Sequence, residues 1–356
     1  MKIFIDIGHP AHVHYFKNFI QIMKNNGYGF LVTARDKEVT HNLLDSFKIK
    51  YIDRGKGKKS LLGKLIYIFR ADFLLLRLAL KYKPDIFMSF SSPYAAQVSW
   101  LLRRPHIAFD DTEHAKFEHM MYVFFTDVIF TPNCFQKDFG KKHIRFNGFM
   151  ELCYLHPNYF TPDPSVLDML GVKKDDKYVI LRFVSWGASH DIRQSGLTLE
   201  MKRKLATELS KHAKVFISSE DKLPADLKRY QIKKLPEKIH DVLSSATLFI
   251  GEGATMVSEC AMLGTPAIYV NTLSAGTLEE QGKYGLIFCF RNSNGVFEKA
   301  LQLLQTLDLR QEYQKRKEKM LSGKIDVTAF MVWFIENYPK SVSVMKANPD
   351  YQYKFK

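Results

Sequence analysis

Short apolar runs alternate with amphipathic stretches along this sequence, and the alternation starts again after a proline-bearing break; this restricts the fold more than any other feature. The run Lys2–Ile7 ends at Gly8 and reads as a buried strand followed by a turn. A helix over about Ala11–Lys24 is expected next, then strands at Phe30–Thr33, Ile86–Phe90, His106–Phe109 and Val128–Thr131. Strands separated by helices build a parallel sheet covered on both faces. The stretch His156–Pro164 reads as a linker, after which strands recur at Tyr178–Val184, Lys214–Ser218, Leu248–Gly251, Ala267–Val270 and Ile287–Phe290. Among the helices between them, Pro236–Ser245 and Ala254–Leu263 are the clearest. The chain's 356 residues also exceed the size at which one core stops growing. The predicted fold class is therefore α/β, with two Rossmann-type domains whose parallel sheets face a central cleft and bind ligand at the carboxyl ends of the strands. The expected boundaries are 1–157 for the first domain and 158–325 for the second. Residues 326–356 form an aromatic helix, Val327–Asn337, that crosses back or not, and a basic tail expected to be a solvated end.

Composition narrows the partners. The chain carries 52 basic and 37 acidic residues, a formal charge of +15, which attracts phosphate in nucleotides, nucleic acids or anionic membranes. Signatures of the common nucleic-acid modules are missing, so nucleic acid is not an expected partner. Cys134, Cys153, Cys260 and Cys289 show no paired spacing, and the sequence opens on a strand, so a reducing cytoplasmic setting is expected. The most apolar stretch, Leu61–Leu80, contains Lys64, Arg70, Asp72 and Arg77, too many charges for a membrane span. Ser60–Lys83 is expected to be a buried crossover helix. The alternative is a basic apolar helix lying on the inner face of a membrane.

The segment Thr247–Pro266 concentrates the chemistry. A strand runs into Gly251, Glu252 and Gly253 and the chain then enters a helix, whose free N–H groups and dipole favour phosphate at Gly253, Ala254 and Thr255. Glu259 lies about two turns further, where its carboxylate would accept hydrogen bonds from ribose hydroxyls. Gly264-Thr265-Pro266 stops the helix. Met256 stands where a dinucleotide fingerprint has its third glycine. Glycine turns after strands are also common in α/β proteins of any function, and a lone glutamate on a helix is often a solvated one.

Registered on Gly253-Ala254, Val257-Ser258-Glu259 and Gly264-Thr265-Pro266, this segment resembles the donor-nucleotide motif of GT-B glycosyltransferases, above all the lipid-linked N-acetylglucosaminyltransferase of peptidoglycan synthesis. The resemblance implies that Glu259 binds the ribose of UDP. Gly8, His9, His12 and His14 lie just beyond the first strand and resemble the opening loop of the same enzymes, with His12 at the matching position. Histidine near neutrality suits a general base or a phosphate contact. Local helix capping and metal binding compete for these three histidines, although their spacing fits no standard zinc pattern. This opening, together with Arg182–Asp191, resembles a family catalogued as domain of unknown function 354 across nearly the whole chain.

Three further groups follow from the same likeness. Ser185, Trp186, Gly187 and Ser189 succeed the first strand of the second half, as a Gly-Ser loop does in the transferases, and would bind a diphosphate with Arg182 adding charge or serving a structural ion pair. Asp111 and Glu113 follow the strand His106–Phe109 and align with an acidic acceptor-side residue of the transferases and of nonhydrolysing UDP-N-acetylglucosamine 2-epimerases; helix capping explains Asp111 equally. Glu280 and Gln281 stand near the donor-sugar loop, where a solvated loop is the plain alternative. The function implied is metal-independent glycosyl transfer from a nucleoside-diphosphate sugar, UDP-linked, to a glycan or lipid-linked acceptor in polysaccharide or glycolipid synthesis. His12 would be the base, with Asp111 and Glu113 beside it and no cofactor. A sugar-nucleotide epimerase and a noncatalytic binding protein at the membrane surface remain the alternatives.

Overall fold

The computed structural model describes residues 1–57, 60–184, 196–232 and 236–356, with backbone alone for 61, 62, 64 and 65. The chain divides into two compact units, one made of Met1–Tyr159 with Lys324–Lys356 and one of Phe160–Gly323.

The first unit holds strands β1 (Lys2–Ile7), β2 (Gly29–Ala34), β3 (Ile52–Asp53), β4 (Ile86–Phe90), β5 (His106–Phe109), β6 (Val128–Pro132) and β7 (His143–Phe146). They form a seven-stranded sheet in the order β3-β2-β1-β4-β5-β6-β7, parallel throughout, with Ile5 opposite both Val32 and Met88. Its helices are α1 (Pro10–Asn25), α2 (Thr40–Ser46), α3 (Leu61–Tyr82), α4 (Pro93–Leu101), α5 (Lys116–Tyr122) and α6 (Leu152–Leu155).

Side-chain alternation on β1 sorts the two faces. Phe4 packs with Leu75 and Ala79 of α3 and Ala95 and Val98 of α4. Asp6, two residues on, shares that face and is fully buried. Right-handed crossovers between successive strands put α3, α4 and α5 on this one side, where α3 packs on α4 and α4 on α5. α1 lies on the other side, against α6 and a late helix described below. α3 buries Tyr67, Ala71, Leu75 and Ala79 at four-residue spacing, so it is the expected crossover helix, with an outer face that is also apolar. Among the described residues no helix is long and apolar enough to cross a membrane.

The second unit holds β8 (Tyr178–Phe183), β9 (Lys214–Ser219), β10 (Leu248–Gly251), β11 (Ala267–Val270) and β12 (Ile287–Phe290). The sheet order is β12-β11-β10-β8-β9, again all parallel. Its helices are α7 (Val166–Leu170), α8 (Leu199–Leu209), α9 (Ile239–Ser245), α10 (Ala254–Leu263), α11 (Gly276–Lys283), α12 (Val296–Gln305) and α13 (Leu309–Leu321). Leu248, Phe249 and Ile250 on the central strand have no solvent exposure, as a strand covered on both faces requires.

Two short strands, β3 and β7, escape sequence reading. β3 has only two residues, and β7 is an edge strand that buries Ile144 and Phe146 while His143 and Arg145 stay partly exposed. The tail differs from the expected solvated end. After α14 (Val327–Glu336) it forms α15 (Lys340–Ala347) and a 3-10 turn over Pro349–Phe355. Phe334 sits 4.6 Å from Phe130 of β6 ring to ring, Trp333 stacks on Tyr351 at 4.7 Å, and buried Gln352 accepts the Asn147 N–H at 2.6 Å. Aromatic burial outweighs the tail's basic composition.

Candidate functional site

In the second unit the turn after β10 is built from the inside. A Cβ on Gly251 would lie 2.7 Å from the Phe249 ring and 3.1 Å from the Arg182 Cβ, so packing within the protein demands this glycine, and not the close approach of a ligand. Glu252 turns inward and is 1% exposed. Its carboxylate accepts the N–H groups of Val184 at 3.1 Å and Leu197 at 2.9 Å and pairs with Lys202 at 3.1 Å. One buried acid thereby ties both flanks of residues 185–195 to the glycine turn, while Asn271 at the end of β11 donates to the Glu252 carbonyl at 3.0 Å.

Gly253 then takes an extended conformation and α10 begins with no side-chain cap. The first-turn N–H groups of a helix lack intrahelical acceptors, and Gly253, Ala254 and Thr255 remain partly exposed. That is the arrangement in which a helix start takes an anion.

Glu259 is buried on the same helix and pairs with His240 of α9, Oε1 to Nε2 at 3.0 Å. Arg182 is engaged structurally, donating to Ser218 at 2.9 Å and Glu220 at 2.6 Å. Gln281 is fully buried and donates from Nε2 to Ser258 of α10 at 2.7 Å, so it braces α11 against α10. Glu280 beside it is partly exposed. Ser185, Trp186, Gly187 and Ser189 lie outside the described residues.

In the first unit the loop after β1 and the end of β5 share the carboxyl edge of the sheet, with β4 between them. His9 caps α1, its Nδ1 accepting the Ala11 N–H at 3.2 Å. His12 accepts the Gly8 N–H on Nδ1 at 3.3 Å and lies 4.7 Å from the Phe90 ring. Burial, reinforced by Lys37 and Arg54, lowers its pKa to about 3. A neutral ring whose Nδ1 accepts carries its proton on Nε2, so His12 is a hydrogen-bond donor at neutral pH and a poor base. His14 points the other way, 5% exposed against the rings of Tyr154 and Phe47 at 5.0 and 5.6 Å, and serves the core.

Beneath this loop Asp6 accepts from Thr33 at 2.8 Å and Ser92 at 2.5 Å and pairs with Arg54 at 2.9 Å. Arg54 in turn donates to Tyr67 at 2.9 Å and lies over the Tyr94 ring at 4.6 Å. This saturated buried network fixes the carboxyl ends of β1 and β2. After β5, Asp110 accepts from Tyr122 at 2.6 Å and from the Thr112 N–H at 2.8 Å and pairs with His119 at 3.0 Å. Asp111 is partly exposed next to buried Glu113 and Glu151. Burial first, then Glu151 and Asp110, hold its carboxyl well above the usual range. No side chain caps α5, whose N-cap is Ala115; Asp110 instead closes the loop turn by receiving the Thr112 N–H. Sequence reading missed Glu252, His240 and Arg54; only Glu252, inside the glycine turn, had a local signal.

Two parallel-sheet α/β units with loops of this kind define the fold shared by GT-B glycosyltransferases and UDP-N-acetylglucosamine 2-epimerases. S. aureus MnaA, solved with UDP, superposes with a TM-score of 0.66 at 12% identity, covering 96% of this chain and 98% of that one. The UDP-GlcNAc 2-epimerase of Neisseria meningitidis bound to UDP-GlcNAc gives 0.63 at 14% identity, over 94% and 100%. The spinosyn rhamnosyltransferase SpnG, complexed with spinosyn aglycone, gives 0.61 at 12%, over 95% and 100%. At these identities the likeness establishes the fold. The chain belongs to the family described as protein of unknown function (DUF354), which matches residues 1–281. An uncharacterised protein of Methanocaldococcus jannaschii is 25% identical over 279 residues, 75% of this chain and 81% of its own length.

Proposed function

We propose that this protein transfers a glycosyl group from a nucleoside-diphosphate sugar, UDP-linked, to a glycan or lipid-linked acceptor. The observation that carries the proposal is the uncapped, partly exposed start of α10 at the carboxyl end of β10. A departing diphosphate gains negative charge as the glycosidic bond breaks, and a fixed helix start stabilises that charge without reorganisation. The structures solved with UDP and UDP-GlcNAc on the same fold support this ligand class. In the first unit Asp111, with Glu113 beside it, is the candidate for taking the acceptor's proton from its ionised form, a carboxylate that burial and the neighbouring acids make a stronger base. His12 donates from Nε2. Glu259 is the candidate ribose ligand, oriented by His240.

Gly253→Asp tests the reading. Its φ of −98° and ψ of 126° suit an N-cap, and among the described residues a Cβ there meets only Val184, at 3.4 Å. An aspartate would cap α10, stabilising it by about 1 kcal/mol, while placing a carboxylate where the diphosphate would lie. We expect an unchanged or raised melting temperature together with UDP affinity, by calorimetry, reduced about tenfold or more. Equal UDP binding by both forms would remove the assignment.

The crowding of Asp110, Asp111, Glu113 and Glu151 favours one second reading, a sugar-nucleotide epimerase that moves a proton on the sugar itself. Turnover of UDP-N-acetylglucosamine without any acceptor, followed by NMR, selects the epimerase; release of UDP only when an acceptor is supplied selects the transferase.

A further inference from the structure

The outer face of α3, α4 and α5 in the first unit is apolar where a water-facing helical layer should be polar. On α3, Ile66, Phe69, Phe73 and Leu80 are 58–69% exposed, on the side opposite the buried Tyr67, Ala71, Leu75 and Ala79. Trp100 and Leu101 end α4 at 56 and 59%, and Phe117, Met120 and Phe124 on α5 and its following turn reach 63–77%. Scattered single hydrophobics are ordinary on a surface, but three adjacent helices exposing theirs together are not.

Helices in right-handed crossovers run antiparallel to their strands, so α3, α4 and α5 all end at the amino edge of the sheet. Cations gather there. Lys81 and Lys83 follow Leu80, Arg103 and Arg104 follow Leu101, and Lys141 and Lys142 precede β7; all but Lys142 are exposed. Lys142 donates to the carbonyls of Val123 and Phe124 at 3.2 and 2.8 Å, fixing the turn that presents Phe124. A cavity of about 570 Å³ opens among Trp100, Arg103, Arg104, Phe124 and Lys142. Neither Arg103 nor Arg104 forms an ion pair among the described residues. The acids at this edge are bound to backbone: Asp85 accepts the Lys2 N–H at 2.7 Å, and Asp127 accepts the His106 N–H at 2.9 Å.

We infer that the α3–α4–α5 face is a docking surface for an anionic lipid bilayer, with the apolar side chains entering the acyl boundary and the amino-edge cations taking lipid phosphates. Charge complementarity selects this occupant. A second copy of the chain packed face to face would bring like-charged rims together, and Ile66, Leu80, Leu101 and Met120 offer a nucleic acid nothing to bind. Apolar anchors with a Lys/Arg rim and interfacial Trp are what an anionic membrane surface takes. None of these residues belongs to the candidate nucleotide site, so the inference stands or falls separately from the proposed transferase.

Co-sedimentation of the full chain with vesicles of phosphatidylcholine alone, and of phosphatidylcholine with phosphatidylglycerol, tests it. The chain is expected to pellet with the anionic vesicles, less so in high salt, and about tenfold more weakly as Arg103→Glu/Arg104→Glu or as Phe69→Ser/Phe73→Ser. Both variants change exposed positions, and an unaltered melting temperature confirms that each is folded. A wild-type chain that stays in the supernatant with anionic vesicles overturns the inference, as does equal pelleting with phosphatidylcholine alone. So does a lipid-free dimer in the ultracentrifuge that Phe69→Ser/Phe73→Ser dissociates without changing vesicle binding, since the face would then belong to a second copy.

Discussion

Individual side chains in this protein are tuned mostly by burial. His12 follows β1 in a half-buried position with Lys37 and Arg54 nearby, and all three influences disfavour the imidazolium. Its folded pKa, about 3, lies below the unfolded value of about 6.5, so the stability it contributes is present above the unfolded value and is lost as pH falls toward the folded one. The ring should remain neutral between about pH 5 and 8, and a flat His12 titration by NMR checks this. Asp72 shows the opposite sign. Burial, then Asp6, pushes its carboxyl up to about 7 against the pull of Arg54. The native state therefore holds a proton that the unfolded chain releases near pH 4, roughly, and stability should fall as pH rises from there to about 7. Asp72→Asn should abolish that slope and be more stable than wild type by roughly 1–3 kcal/mol at about pH 8 after solvent screening. Urea unfolding at acidic and alkaline pH measures it, and parallel slopes for both chains would refute it.

Among the elements, the β10–α10 turn is governed by a side chain turned into the protein. Glu252 receives two backbone N–H groups and one ammonium, so Glu252→Gln leaves a half-buried Lys202 without its counter-charge and replaces one acceptor with an NH₂ group. We expect a loss of roughly 2–4 kcal/mol and weaker UDP binding, seen by thermal unfolding and calorimetry; an unchanged melting temperature would show that the clamp is dispensable. The sequence placed Gly251 and Gly253 in that turn correctly, yet it assigned both to ligand approach. Only the coordinates distinguish Gly251, crowded by Phe249 and Arg182, from Gly253, which has room. The three histidines after β1 show the same division. Their position was legible, but one helical turn sends His9 to the cap, His12 toward Phe90 and His14 into the core, and no periodicity argument separates residues so close together. Arg182 takes the structural ion pair that its place on a strand allows, with Glu220, and Gln281 donates to Ser258.

At the scale of the molecule, the second unit is one continuous segment, Phe160–Gly323, whereas the first needs both Met1–Tyr159 and Lys324–Lys356. α14 supplies Phe330 and Phe334 to the ring cluster at Phe130, and Thr328 donates to the Cys153 carbonyl at 2.9 Å. Residues 160–323 alone should therefore fold and melt cooperatively, while residues 1–323 should expose the apolar face left by α14 and aggregate. Calorimetry of the two fragments decides the point, and a soluble, cooperatively melting 1–323 would contradict it. Local sequence by itself determined the strands of both sheets apart from β3 and β7, their parallel arrangement and the glycine-bounded helix Ala254–Leu263, because strand burial, helical periodicity and turn chemistry act over a few residues. Tertiary structure alone decided that His240 meets Glu259, that Arg54 neutralises Asp6, that Glu252 binds the N–H groups of Val184 and Leu197, and that the basic tail packs instead of dangling. Each of these joins residues far apart in the chain through burial and charge, and such pairings exist only once the sheets have brought their edges together.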